Sequence, residues 1–126
     1  MSAISDARQE LADAIKTDDW PCTPYVPEAI EPACYFLAPA DPYVAPRDGD
    51  ETFGLSEWSL SVVVYVMPEL LSNEQVTAQL DAMVDHLLNT LPEGWGLDLV
   101  GKPGPFETSE WLSYGQPITV SRFITL

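Results

Sequence analysis

From Trp58 onward every even position is apolar, through Leu60, Val62, Val64 and Val66, while the odd positions open with Ser59 and Ser61 and close with Val63, Tyr65 and Met67. A period of two with one wholly apolar face predicts a long strand over 53–67. One face enters the core, and the second half is covered on both faces. Pro68 cannot continue a ladder, so the strand stops near Met67. Ser72 stands three residues before Gln75, the spacing of a capping box, and Leu71 and Val76 stand at the spacing of a hydrophobic staple. These signals predict a helix over 73–91. Its apolar stripe is Val76, Leu80, Met83, Val84, Leu87, Leu88 and Leu91, and Pro92 and Gly94 end it. A strand that needs cover is followed by a helix that supplies it.

The flanking segments are read the same way. Ile4, Ala7, Leu11, Ala14 and Ile15 form the apolar stripe of an N-terminal helix over about 2–16. A proline-rich crossing with short strands follows over 18–40; Pro21, Pro24, Pro27, Pro32 and Pro39 restrict those strands, near 22–26 and 33–37, to an edge. Residues 41–52 show no apolar period and carry Asp-Pro and Arg-Asp-Gly-Asp, which predicts an acidic surface loop. Trp95, Leu97 and Leu99 alternate with Gly96, Asp98 and Val100, giving a strand over 95–101. Residues 102–116 read as irregular, and a final strand over 117–126 places Ile118, Val120, Ile124 and Leu126 on one face. Arg122 interrupts that face and Phe123 opposes it, so one of them is expected at a sheet end or an interface. The element order predicts a single α+β domain, a mostly antiparallel β-sheet covered by two main α-helices.

Charge changes the picture more than composition does. Twenty acidic side chains against five basic ones give a net charge of -15, beyond the magnitude of about 2 to 8 that suits solubility alone. Adhesion to DNA or to anionic membranes is disfavoured, and a basic protein partner is favoured. No apolar run approaches a membrane span, and Asp6, Glu10 and Asp13 stand where a signal peptide needs a basic start and an apolar middle. Cys22 and Cys34 match no disulfide framework or zinc spacing, so they are expected to be reduced, packed thiols.

Candidate chemistry is sparse. His86 follows Asp85 on the second helix, but helical neighbours diverge, so the pair is poorly aimed for acid-base work and a half-buried histidine is the simpler reading. Gly101 and Gly104 lack the lysine and helix of a phosphate loop. Asp48, Asp50 and Glu51 match part of a calcium loop without its bidentate glutamate. Glu28 with Glu31 and Glu107 with Glu110 have no apolar surroundings to separate their pKa values, and the serines have no nucleophile context. The expectation is a non-enzyme with no cofactor and no metal.

Aromatic residues in segments read as loops stand out: Tyr43, Phe53, Phe106, Trp111 and Tyr114, with Leu112. They either cap the sheet ends or anchor a subunit interface. The acidic loop beside them has the character of a segment that orders against a partner.

Four stretches together resemble the tail terminator proteins of long-tailed bacteriophages. They are the helix ending Leu-Ala-Asp-Ala-Ile, the proline-rich crossing to a strand at 33–37, the strand Phe-Gly-Leu-Ser-Glu-Trp-Ser-Leu-Ser-Val-Val-Val-Tyr-Val, and Gln-Leu-Asp-Ala-Met-Val-Asp in the next helix. The resemblance implies a virion protein assembled in the host cytoplasm. It would form a hexameric ring on the tail tube protein, stop tube growth, join the head-tail connector or stopper, and let DNA pass through its lumen without specific binding. It brings no catalytic positions. Within that picture Phe53, Trp111 and Tyr114 are the expected subunit or partner anchors. Asp48, Asp50 and Glu51 are expected to face the lumen or a basic partner. Two other readings fit the size and charge: another neck component such as a head-tail stopper, and an acidic inhibitor that mimics DNA or neutralises a basic toxin.

Overall fold

The computed structural model describes residues 2–31, 33–46, 57–69, 72–107 and 112–125, with backbone alone at 106–107 and 112–113. Its elements are α1 (Ala3–Ile15), β1 (Cys22–Thr23), β2 (Cys34–Pro46), β3 (Glu57–Met67), α2 (Asn73–Thr90), β4 (Gly96–Val100), β5 (Gly104–Glu107) and β6 (Leu112–Thr125). The fold is α+β. Its six-stranded sheet runs β1-β2-β3-β6-β4, with β5 paired to β6. Every pairing is antiparallel except β1 with β2.

Both helices start where side chains satisfy their first amides. Ser2 accepts from the Ser5 amide at 3.0 Å. Ser72 and Gln75 form the full capping box, while Leu71 lies outside the described residues. α1 buries Ala7, Leu11, Ala12 and Ile15, and α2 buries Leu80, Met83 and Leu87, each larger side chain contributing about 1.5–3 kcal/mol by transfer from water. Leu88, expected in the same stripe, is exposed instead. The helix covers the sheet with a narrower face than the apolar stripe offers. Gly94, at φ +94°, makes the turn out of α2 in a conformation that side chains disfavour.

The helices cover one face of the sheet. Tyr35 and Leu37 of β2, Leu60, Val62, Val64 and Val66 of β3, and Ile118, Val120 and Ile124 of β6 meet the helices in one core. Among the described residues the opposite face is covered at one end, where Phe36 stacks on Tyr65 at 5.1 Å beside Cys34, Met67 and Ile30. The double cover expected for the second half of β3 is therefore local to Tyr65 and Met67.

Three expectations are corrected. The loop assigned to 41–52 is strand as far as Pro46: β2 slips register between Pro39 and Val44, then pairs Val44, Ala45 and Pro46 with Leu60, Ser59 and Trp58. Beyond Thr23 the outer side of β2 has no described partner strand, and prolines are tolerated along such an edge. Tyr43 accordingly packs against the core rather than lying in a loop.

The irregular stretch assigned to 102–116 contains β5 and the start of β6, paired from Gly104↔Gly115 to Glu107↔Leu112. The strand expected over 95–101 is present as β4, but its simple alternation is not kept. Leu97 pairs with Val120 on the helix side, but a bulge at Asp98 shifts the register, so Leu99 pairs with Thr119 on the other side. A bulge reverses the facing of everything after it, and all five β4 residues are exposed.

Candidate functional site

β3 determines where the candidate residues stand. Its 11 residues span about 34 Å at the rise of an extended strand. Pro46 and Glu57, which bracket 47–56, mark one end of the sheet, because Pro46 pairs with Trp58 and Glu57 pairs with Thr125. Phe53, Asp48, Asp50 and Glu51 belong to that bracketed segment and lie outside the described residues. Tyr114 stands beyond the other end of β3. Trp111, just before β6, also lies outside the described residues.

At that second end the sheet narrows to two strands. β3 pairs with β6 only from Gln116 onward, and residues 112–115 of β6 pair with β5 alone. β4 and β5 lie in sequence along β6, so 96–107 and 112–125 form one long antiparallel ribbon whose far part projects past Met67. Its root is clamped: the Gly101 amide donates to the Pro117 carbonyl at 2.7 Å, and the Gln116 amide nitrogen donates to the Gly101 carbonyl at 3.0 Å. Gly115 lies so close to β3 that a Cβ there would meet Met67 Sδ at 2.5 Å and the Val66 carbonyl at 3.1 Å. A two-stranded ribbon is marginal by itself. Tyr114 is 37% exposed upon it.

Arg122 and Phe123 resolve in opposite senses. Arg122 shares the helix-side face and reaches Glu10 of α1 at 3.0 Å, with its guanidinium 5.9 Å from the Trp95 ring centre. Half-exposed, that pair is worth less than about 1 kcal/mol. Phe123 is 50% exposed on the open face. There it lines a groove of about 350 Å³ with Pro42, Ala45, Pro46, Ser59, Ser61, Asp98 and Ser121.

His86, Cys22 and Cys34 take part in packing. His86, half-buried, lies against Trp20 and Tyr35. Burial pushes the Cys22 thiol up to about 12 and the Cys34 thiol to about 11, so neither is a ready nucleophile. Cys22 pairs with Tyr35 and joins the helix-side core, whereas Cys34 belongs to the opposite face. Among the described residues no three His, Cys, Asp or Glu side chains are grouped to hold a metal, and no helix is long and apolar enough to cross a membrane.

Sequence reasoning missed the β4 edge and the groove beside it. The available signal was the pair Leu99-Val100 closing an alternating run, since no one-faced strand can bury both neighbours. Comparison with protein-family models and with curated proteins finds no match to either.

Proposed function

We propose that the chain is a ring-forming phage tail terminator subunit that caps the head-proximal end of the tail tube, stops tube growth and joins the tail to the neck. The observation that supports this reading is that Tyr114 and the strand ends at Pro46 and Glu57 stand apart by the length of β3. The projecting ribbon with Tyr114 stands at one end, and the strand ends that bracket the acidic segment stand at the other. Unlike patches at opposite ends suit a head-to-tail contact, the kind that closes rings when the rotation allows. A two-stranded ribbon carrying an exposed aromatic gains burial by docking on a neighbour.

Charge supports the same function. Copies at -15 each would surround a lumen that repels phosphate, so DNA passes without the counterion release that creates affinity. The acidic surface also suits a basic tube or neck partner.

Size-exclusion chromatography with mass detection, with and without tail tube protein, tests the reading alongside negative-stain images. The expected result is a ring seated on tube ends and tubes of uniform length. A monomer that leaves tube length unaltered overturns it. Replacing Trp111→Ala together with Tyr114→Ala is expected to abolish ring formation while leaving the fold intact by circular dichroism.

A further inference from the structure

β4 closes one side of the sheet, and among the described residues no strand pairs with its outer side. Leu97 is 47% exposed and Leu99 62%, with Val100 exposed beside them. Strand edges of this kind template pairing, and proteins usually shorten, charge or cover them. The other side of this sheet is managed in that way. β1 has two residues, and the strand inside it carries Pro39, Pro42 and Pro46.

We propose that β4 receives an extended segment of a basic partner protein, which adds a strand to the sheet and sets a lysine or arginine beside Asp98. A second copy of the chain is a poor occupant by either of its edges. The β2 edge lacks the proline amides that a new ladder would use. Two β4 strands paired antiparallel about their centres would bring Asp98 opposite Asp98, because Asp98 is the middle residue of Gly96–Val100. Like charges directly opposite are destabilising, and each copy adds -15.

A cationic strand meets neither obstacle. Asp98 is the bulged residue, and its side chain lines the open-face groove with Ser59, Ser61, Ser121 and Phe123. The Asp98 carboxylate, on β4 itself, accepts hydrogen bonds from an ammonium or guanidinium of the added strand. On the helix side Leu97 and Val100 favour apolar partners. The recognised segment therefore alternates apolar with basic residues. This inference stands on the strand edge and holds whether or not the chain forms a ring.

The test is a titration of 15N-labelled protein with a short blocked peptide of alternating valine and lysine, against a valine-glutamate peptide as control. Saturable shifts centred on 96–100, amide exchange there slowed at least tenfold, and three- to tenfold weaker binding by Asp98→Asn support the proposal. Leu99→Lys is expected to weaken binding as well, with the fold unchanged. Shifts scattered over the acidic surface without slowed exchange at β4 overturn it, as does the absence of saturable shifts. So does an unchanged affinity in Asp98→Asn. Exchange at β4 that slows with protein concentration in the absence of peptide assigns the edge to a second copy and also overturns it.

Discussion

His86 donates from Nε2 to the carbonyl of Ile15 across 2.8 Å, so a side chain from the C-terminal half of α2 satisfies the last buried residue of α1. A carbonyl only accepts, so Nε2 carries the proton. The final carbonyls of a helix have no partner within it, and this bond joins two elements 71 residues apart. Replacing His86→Phe keeps the aromatic contacts to Trp20 and Tyr35 and removes the donor. A loss of about 1 kcal/mol in urea unfolding is expected, with His86→Ala losing about 2–3 kcal/mol through the cavity. Equal stability of His86→Phe and the parent chain would show the bond to be incidental.

Tyr35 ties β2 to α2 from the same aromatic group, its hydroxyl donating to the Met83 carbonyl at 2.7 Å in a buried setting. Tyr35→Phe is expected to lower stability by about 1 kcal/mol without altering the spectrum of the folded state.

Gly115 sits where the ribbon leaves the sheet. Gly115→Ala forces a methyl against Met67 Sδ and the Val66 carbonyl, with an expected loss of about 1–3 kcal/mol. In a double-mutant cycle with Met67→Ala the two changes should couple favourably by more than about 0.5 kcal/mol. Additive losses would mean that the ribbon root is looser than its contacts imply.

The thiols set an alkaline limit. Both are raised from an ordinary value of 9.0, to about 12 for Cys22 and about 11 for Cys34, mainly by burial. The folded state therefore holds its thiol protons at a pH where the unfolded chain has released them. Their contribution to stability is constant below pH 9 and declines as pH rises through the folded values. Urea midpoints measured from pH 8 to pH 10.5 should fall. A thiol-reactive disulfide reagent at pH 8 should label the native protein far more slowly than the unfolded one. Rapid labelling of both cysteines in the native state would contradict their burial.

Association between acidic copies should respond to salt. The Debye length shortens from about 30 Å at 0.01 M to about 8 Å at 0.15 M, so self-repulsion fades over that range and the assembled fraction should rise. A single mass at every ionic strength, with tube protein present, would remove the ring from consideration.

Local rules made much of this chain legible. The even-numbered apolar run of β3, the Ser72–Gln75 box and the stripe of α1 each depend on residues a few positions apart, and all are present in the fold, with Ala12 buried in α1 in place of the expected Ala14. So is the α+β class, which follows from the order of such elements. What only the tertiary structure decided depends on register across distant strands. A three-residue slip carries β2 through its prolines to Pro46, and one bulged residue turns Leu99 away from Leu97. Arg122 found Glu10 and Trp95 because β6 lies under α1, a contact 112 residues long in sequence. Periodicity tells which residues share a face of their own element. Which faces are covered, and which edge is left open, is fixed only when strands far apart in the chain align.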